Sequence, residues 1–577
     1  MKDSTTTPLT PSQRLWRLLK PDHKEISNIY VYSIFNGLVA LSVPLGIQAI
    51  VNLIQGGQVS TSWMVLVFFV VLGVAITGVL QIFQLRITEN LQQKIFARAA
   101  FDFAYRIPRI RMEALYKHYA PELMNRFFDI VAVQKGLSKI LIDFSTATLH
   151  IIFGLILLAF YHSFFILFGV ILILLIYVIF QFTATRGLNT SMEESKHKYR
   201  LVHWLEELAR TSTTFKLAGK TDLPLERTDA HVSDYLIARE SHFHVLVQQY
   251  SLLVVFKVII ATSLLAIGGF LVMAQQMNVG QFIAAEIIIL LVMASVEKLI
   301  ISLENIYDVL TALEKIGQVT DLELEQKQGI KLKEVCEEKG IKVELDKVNF
   351  NYPNSHRKVL EGLTLSIESG EVLLITGANG SGKSTLLQVL AGLYDVQVGS
   401  VSYNGLPKGN LELSSLRDVI GDCLTQEELF EGTVLENITM GRKAATFHEV
   451  KRVVEKLGLS SFIKNLPKGY DTILDPQGKK LPSSIAQKLL LARSIADKPK
   501  LLLLEDAFEP LDAQERKTII DFLTSKENNW TTVAVSSNSY LAKCSDRIVI
   551  MKDGVISNSG SYEEMKSLAI FKTNNYA

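Results

Sequence analysis

Residues 372–393 read VLLITGANGSGKSTLLQVLAGL, an apolar run followed by a glycine-rich turn and a second apolar run. The turn has the spacing Gly-x-x-x-x-Gly-Lys-Ser between a predicted strand and a predicted helix, which is typical of a phosphate-binding loop. Glycine lets backbone N–H groups approach phosphate oxygens, Lys383 adds a positive charge, and Ser384 offers a hydroxyl ligand to Mg²⁺. We therefore expect phosphate contacts from Gly377, Ala378, Asn379, Gly380, Ser381, Gly382, Lys383, Ser384 and Thr385.

The chain on either side of this loop, from about residue 341 onward, alternates short β-rich segments with helical ones. Such alternation is typical of a parallel sheet covered by helices. It predicts an α/β P-loop NTPase domain in the C-terminal part of the chain.

The first half of the chain has a different character, because it contains six long apolar runs. A hydrocarbon core about 30 Å thick needs roughly 20 apolar residues in a helix. The sequence therefore predicts an all-α domain of six transmembrane helices, with a kink at Pro44 in the first. The runs lie near residues 28–54, 62–85, 143–161, 163–183, 249–274 and 279–302.

Bulk composition agrees with a multi-domain membrane protein. The 577 residues exceed what one hydrophobic core organises, and 49% of them are apolar. Lys plus Arg number 59 against 58 for Asp plus Glu, so no net charge indicates a nucleic-acid partner. The three cysteines, Cys336, Cys423 and Cys544, are expected to be free thiols in a reducing compartment.

The distribution of Lys and Arg predicts the orientation. Segments 55–61, 161–163 and 275–278 contain neither residue, whereas 86–142 and 184–248 are rich in both and are expected to face the cytoplasm. These long segments look helical, so the membrane helices should continue into the cytoplasm as rods, with tips after Pro108 and around 209–220. We expect both termini to be cytoplasmic and the N-terminus to be uncleaved.

Four ionisable side chains fall in or at the ends of the apolar runs: Lys257, Glu286, Glu297 and Lys298. Such groups are costly in lipid and can mark a substrate path. They can equally pair across helices or extend to the membrane surface. Both readings stay open, with Glu286 the first candidate for a substrate contact.

Three further motifs carry a resemblance to a known family. Tyr352 lies in NFNYP upstream of the phosphate loop, Gln426 lies in IGDCLTQ followed by LFEGTVLENI, and residues 466–472 read LPKGYDT. With these, the chain resembles the ABC exporter family over nearly its whole length. The resemblance implies a half-transporter with residues 1–25 as a cytoplasmic segment, 26–310 as the transmembrane domain, 311–340 as a linker and 341–577 as the nucleotide-binding domain.

The resemblance also implies roles for single residues. Tyr352 would stack on the adenine of ATP, Gln426 would contact Mg²⁺, and Asp512 in EPLD would act between subunits. ATP and Mg²⁺ are the implied cofactors, with Ser384, Gln426 and Glu505 as the implied metal contacts. Implied partners are a second ABC half-transporter, the lipid bilayer, an exported substrate and a periplasmic adaptor, at a bacterial inner membrane.

Three motifs depart from the family pattern. The signature Leu-Ser-Gly-Gly-Gln is replaced by residues 481–485, LPSSI, so Ser483 and Ser484 stand where glycines are usual. The acids after strand 501–504 are exchanged, with Glu505 as the metal residue and the shorter Asp506 as the water-polarising residue. Ser537 occupies the position of the switch histidine and cannot supply an imidazole.

These departures leave several functions open. The first is an ATP-driven exporter with Lys383 and Asp506 in catalysis and slow hydrolysis, because a misplacement of about 1 Å can cost on the order of a hundredfold in rate. The second is a catalytically weak subunit whose partner chain supplies most hydrolysis. The third is a nucleotide-gated membrane scaffold that transports nothing. The sequence does not identify a substrate.

Overall fold

The computed structural model describes residues 9–57, 61–334, 340–425 and 428–566. It divides into two compact units. The first unit comprises Met1–Pro108 and His118–Leu322, and the second comprises Arg109–Lys117 and Glu323–Ala577.

The first unit is helical, as the sequence predicts. Within the described ranges, six helical segments are long and apolar enough to cross a membrane, namely Pro11–Gln55, Thr61–Arg109, Ala120–Tyr161, Phe164–Arg210, Leu223–Met273 and Val279–Thr320. The helices up to residue 320 are α1 Pro11–Leu19, α2 His23–Ala40, α3 Ser42–Gln55, α4 Thr61–Arg106, α5 Met112–Leu115, α6 Ala120–Asn125, α7 Asp129–Lys139, α8 Ser145–Tyr161, α9 Phe164–Arg210, α10 Ser212–Leu217, α11 Leu223–Ser263, α12 Gly269–Met273 and α13 Val279–Thr320. Of these, α5 belongs to the second unit.

The long helices confirm that the membrane helices continue beyond their apolar runs. Helices α4, α9, α11 and α13 contain 46, 47, 41 and 42 residues, about twice the 20 or so that a bilayer requires. Two five-residue π-helical segments, Ile140–Phe144 and Leu264–Gly268, join α7 to α8 and α11 to α12. Short helices stand where the sequence predicts rod tips, after Pro108 and at α10.

The first membrane run is interrupted at Leu41, three residues before Pro44. Proline has no N–H, so residue 44 cannot donate to the carbonyl four residues earlier, at Ala40. Helix α2 ends at Ala40, and Pro44 then lies in the first turn of α3, where the missing donor costs nothing. The predicted kink is therefore present, displaced by one turn.

Most charges predicted in the membrane runs pair across helices. Lys257 on α11 pairs with Glu297 on α13, and Lys298 pairs with Asp143 at 2.8 Å. The pairing interpretation is thus confirmed for Lys257. Glu286 is half-buried on α13, and its contact with a substrate stays a prediction.

The second unit is built on two principal sheets. Its strands are β1 Val343–Phe350, β2 Leu360–Ile367, β3 Val372–Gly377, β4 Val398–Tyr403, β5 Leu406–Pro407, β6 Ile420–Cys423, β7 Gly432–Thr433, β8 Ile473–Leu474, β9 Leu501–Glu505, β10 Thr531–Val535, β11 Arg547–Lys552 and β12 Val555–Gly560. One sheet has the order β2-β1-β4-β5 and is antiparallel. The other has the order β12-β11-β3-β10-β9-β6 and is parallel except for β12.

Helices cover the parallel sheet, as an α/β fold requires. They are α14 Lys383–Leu390, α15 Leu413–Arg417, α16 Val434–Thr439, α17 Phe447–Lys456, α18 Ser460–Asn465, α19 Ser483–Ile495, α20 Ala513–Thr524, α21 Ser539–Cys544 and α22 Tyr562–Lys566. All five residues of β9 and all five of β10 are buried, which is expected of central parallel strands with both faces covered. The predicted α/β class is confirmed.

Two boundaries differ from the sequence prediction. Helix α13 continues to Thr320, so the predicted boundary between 310 and 311 falls inside it. Residues 109–117 belong with the C-terminal unit, because Arg111 pairs with Glu323 at 2.9 Å and with Asp395 at 2.8 Å. Sequence periodicity reports local helix and does not reveal which unit a short segment contacts.

Candidate functional site

The carboxyl ends of four neighbouring parallel strands meet at one edge of the sheet. Strand β10 pairs with both β3 and β9, placing Val535 opposite Ile375 and Glu505. Strand β9 in turn pairs with β6. The loops that follow these strands carry most of the predicted site residues, and such an edge is the usual ligand position in parallel α/β sheets.

The phosphate loop forms directly after β3 and leads into α14. Gly380 and Gly382 have φ angles of 79° and 100°, a region that L side chains rarely adopt. Gly382 precedes α14, and no side chain caps the N-terminus of that helix. The N–H groups of its first turn are therefore available to an anion.

The side chains of the loop fit a polyphosphate. The hydroxyl of Ser381 is buried without a hydrogen-bond partner, and Ser384 is exposed. Lys383 donates to the carbonyl oxygens of Gly377 and Ala378 at 2.9 Å each. Burial lowers the pKa of the Lys383 amine, and the charges of Asp506 and Glu505 oppose that shift. An anion in the loop would give the orphaned hydroxyl and the lysine a partner.

Tyr352 follows β1 and stands against α14. Its hydroxyl lies 3.0 Å from Thr385 Oγ1 and donates to Gln388 Oε1 at 3.0 Å. Its ring is stacked on Tyr116, with 5.4 Å between ring centroids and 16° between ring planes. Thr385, predicted to bind nucleotide, therefore has its hydroxyl engaged by Tyr352. Tyr116 is an aromatic contact that the sequence did not indicate, because it is 236 positions away from Tyr352.

The two exchanged acids end β9 in different surroundings. Glu505 is 7% exposed and its carboxylate accepts from the backbone N–H of Thr425 at 3.2 Å. Asp506 is exposed and has a φ of 45°. Burial of the carboxyl raises the pKa of Asp506, as do the charges of Glu505 and Glu509, whereas Lys383 lowers it.

No group of three or more His, Cys, Asp or Glu side chains within the described ranges is arranged to hold a metal ion alone. This is compatible with Mg²⁺, which usually takes one or two protein ligands together with phosphate oxygens and water. Ser384 and Glu505 carry oxygen atoms of the kind that Mg²⁺ binds. Ser384 lies in α14, which follows β3, and Glu505 ends β9 at the same edge of the sheet. Gln426 lies outside the described residues.

The signature position opens α19. Pro482 occupies the cap position with φ −55° and ψ 141°, and no side chain caps the helix. Ser483 is exposed and Ser484 is half-buried in the first turn. Both serines therefore stand at an open helix N-terminus, which favours an anion.

Asp512 stands at the corresponding position of α20, where its backbone carbonyl accepts from Arg516 at 2.8 Å and its side chain is exposed. Across the part of the chain that the structure describes, no hydrogen bond joins Ser483, Ser484 or Asp512 to the phosphate loop. The structure thus brings together Tyr352, the phosphate loop, Glu505 and Asp506, and among the described residues no hydrogen bond joins the other three to them.

Ser537, at the switch position, donates from Oγ to Glu509 Oε1 at 3.4 Å. Glu509 was not singled out from the sequence. It follows Asp506 by three positions, and the turn after β9 returns it towards the site, with its N–H 3.4 Å from the Asp506 carbonyl oxygen. The sequence signal that could have identified Glu509 is a carboxylate within a few residues of the exchanged acids.

Two family models match the chain. A model described as the ABC transporter transmembrane region matches residues 26–296, and a model described as ABC transporter matches residues 360–509. Apart from residues 109–117, the first matched region lies in the first compact unit, and the second matched region lies in the second unit.

Two named relatives match the chain over part of its length. A Staphylococcus aureus protein named as a multidrug export ATP-binding/permease protein is 32% identical over 250 residues, which are 43% of this chain and 43% of that protein. ABC transporter B family member 21 of Arabidopsis thaliana is 34% identical over 224 residues, 39% of this chain and 17% of that protein. The alignments therefore span less than half of these relatives.

A solved structure covers nearly the whole chain. The structure of a bacterial Atm1-family ABC exporter with ATP bound is similar with a TM-score of 0.80 and 17% sequence identity, over 95% of this chain and 97% of that one. At this identity, the likeness concerns the fold.

Proposed function

Because this chain belongs to the ABC transporter family, we propose that it is one half of a dimeric exporter that moves a substrate across a membrane at the expense of ATP. The observation that carries the proposal is the phosphate loop. It combines a free helix N-terminus, the unpartnered Ser381 hydroxyl and Lys383 at the edge of the sheet that also presents Glu505 and Asp506.

Each side chain has a role in binding. Tyr352 would stack on the purine, Ser384 and Glu505 would hold Mg²⁺ directly or through water, and Lys383 would neutralise the terminal phosphates. Gln426 would add a metal contact. These groups position the phosphates for attack by water, and the low solvent access of a closed site strengthens their charges.

A dimer is proposed because no hydrogen bond in the described part of the chain joins the second set of predicted residues to the loop. Ser483, Ser484 and Asp512 are at two helix starts with accessible hydroxyl or carboxylate groups. In a pair of chains they would act on the nucleotide of the partner, as the family resemblance implies. Closure on two nucleotides would then be transmitted to the membrane helices.

The membrane location follows from charge and length. The six apolar helices need a bilayer, and the Lys and Arg content of segments 86–142 and 184–248 favours the cytoplasmic side for these segments. We propose a bacterial inner membrane with both termini in the cytoplasm. A periplasmic adaptor is a further partner that the resemblance allows.

The test measures ATP binding and hydrolysis by the full chain purified and placed in lipid. Lys383→Ala should lower ATP affinity more than tenfold and abolish hydrolysis, because the half-buried amine is the loop's only formal positive charge. Lys552→Ala, an exposed lysine of the same unit, is the matched control and should behave as wild type. Unchanged ATP binding in Lys383→Ala would contradict the proposal.

A second candidate is a subunit that depends on a different ABC chain for most hydrolysis. Pro482, Ser483 and Ser484 favour it, because their side chains stand where close backbone approach to phosphate is needed. ATPase activity that appears only when a second ABC polypeptide is added would support this candidate. Activity of the purified chain alone would support the first.

A further inference from the structure

The carboxylate of Glu509 has an unusual position beside the proposed hydrolytic site. It is exposed, and no Lys or Arg among the described residues pairs with it. Its backbone N–H lies 3.4 Å from the carbonyl oxygen of Asp506, the residue that follows Glu505 at the end of β9. An accessible carboxylate without a cationic partner among the described residues therefore stands on the turn that follows Asp506.

The turn after β9 fixes this position through backbone contacts. The Glu509 N–H approaches the Asp506 carbonyl oxygen at 3.4 Å, and Arg516 Nη2 donates to the carbonyl oxygens of Glu509 at 3.3 Å and of Leu511 at 2.8 Å. Asp506 itself adopts a φ of 45° that directs the chain into the turn. The segment that carries Glu509 is thus held, while its side chain is left available.

Ser537 provides the contact that distinguishes Glu509 from Asp506. The Ser537 hydroxyl donates to Glu509 at 3.4 Å, whereas the Asp506 carboxylate makes no hydrogen bond in the described part of the chain. Hydrogen bonds of catalytic groups are often long before substrate binds. The switch position of this chain is therefore linked to Glu509.

The length of the side chain gives a chemical reason to assign a catalytic role to Glu509. A glutamate side chain is one methylene longer than an aspartate, and the exchanged Asp506 is too short for the role that a glutamate usually fills. We propose that Glu509 is the carboxylate that accepts the proton of the attacking water, with Ser537 as its positioning residue. This rests on the proposed ATP hydrolysis and deepens it.

The step is a hydrolysis. The water oxygen forms a bond to the γ-phosphorus, the bond from that phosphorus to the bridging oxygen breaks, and ADP leaves with the bridging oxygen. One proton of the water passes to Glu509 and from there to solvent. In this arrangement, the charge of Asp506 favours the protonated form of Lys383, the group that neutralises the phosphates.

The experiment compares ATP turnover and ATP binding by the full chain in lipid for wild type, Glu509→Gln, Asp506→Asn and Glu527→Gln. Glu509→Gln should lower kcat about a hundredfold while ATP affinity stays unchanged, since a general base contributes at least that factor. Asp506→Asn should lower kcat less. Glu527→Gln removes an exposed carboxylate elsewhere in the same unit and should match wild type.

A double-mutant cycle tests the role of Ser537. Ser537→Ala should lower kcat in the wild-type chain and have no further effect in Glu509→Gln, because a positioning residue acts only through its partner. A merely structural role would give additive losses.

Two outcomes would overturn the inference. Wild-type kcat in Glu509→Gln, with activity lost in Asp506→Asn, would assign the proton transfer to Asp506 and leave the proposed function intact. ATP binding by the wild-type chain with no turnover would overturn both the inference and the hydrolytic part of the proposed function. Loss of ATP binding in Lys383→Ala alone would then still support nucleotide recognition.

Discussion

The ring and the hydroxyl of Tyr352 make different contacts, and substitutions can test the two groups separately. Its ring already stacks on Tyr116, while its hydroxyl is bonded to Thr385 and Gln388 on α14. Burial of the ring edge raises the pKa of the Tyr352 hydroxyl, so the group is neutral at physiological pH and acts as a hydrogen-bond donor.

Substitution of Tyr352 should therefore reveal which property binds nucleotide. Tyr352→Ala should weaken ATP binding about fivefold, the loss expected from ~1 kcal/mol of aromatic stacking. Tyr352→Phe keeps the ring and should retain most of the affinity, although it leaves the buried Thr385 hydroxyl without this partner. Equilibrium binding of ATP to the full chain measures both variants, and equal losses would contradict a stacking role.

At the scale of an element, the start of α19 limits how closely a nucleotide could approach. Ser483 and Ser484 are the first two residues of the helix and follow Pro482. Helix N-termini attract anions through free N–H groups, and this attraction is strongest when no side chain separates the backbone from the ligand. Glycine at these positions removes the obstruction.

The double variant Ser483→Gly with Ser484→Gly should raise the ATPase kcat/KM about tenfold, the equivalent of one added hydrogen bond to a charged group. It should also lower stability by about 0.5–1 kcal/mol per glycine, because glycine loses more backbone entropy on folding. ATPase assays and thermal unfolding of the full chain measure the two effects.

Helix α18 offers a matched control, because it also begins with two serines, Ser460 and Ser461. Glycine at those two positions should lower stability by a similar amount and leave ATP turnover unchanged. An equal gain in turnover from the α18 variant would show that the effect at α19 is not local to its N-terminus.

At the scale of the whole molecule, the proposed function requires two chains. Asp512 is exposed at the start of α20 and is the residue for which the family resemblance implies contact between subunits. A cysteine there can form a disulfide only when the two copies bring their Cα atoms within about 7 Å.

Asp512→Cys, with Cys336, Cys423 and Cys544 replaced by alanine, should therefore form a crosslinked dimer under mild oxidation. Mg²⁺ and ATP should increase the crosslinked fraction, because closure on nucleotide brings the two copies together. Gel electrophoresis without reductant measures it. The same chain with Lys383→Ala should show no increase, and an ATP-independent yield would contradict nucleotide-driven closure.

The features that could be predicted from the sequence are those that depend on residues close together in the chain. A helix long and apolar enough to cross a bilayer is recognisable from residue type alone, so the six membrane helices could be predicted. The phosphate loop could be predicted for the same reason, since a strand, glycines at fixed spacing and a lysine are contiguous in residues 372–393.

Sequence periodicity was less informative where contacts with residues outside a segment determine its structure. The break in the first membrane run lies at Leu41 although its cause is Pro44, because the missing donor acts on a carbonyl one turn earlier. Residues 109–117 look like the end of a rod, yet the ion pairs of Arg111 assign them to the C-terminal unit.

The sequence by itself determined that this chain has a six-helix membrane domain and a nucleotide-binding α/β domain, since both follow from the composition and spacing of contiguous residues. Only the tertiary structure decided which side chains meet: Tyr116 with Tyr352, Glu505 with the backbone of Thr425, and Ser537 with Glu509. The physical reason is that parallel strands far apart in the chain bring their carboxyl ends to one edge, and the turns after them then set which groups come within hydrogen-bonding distance.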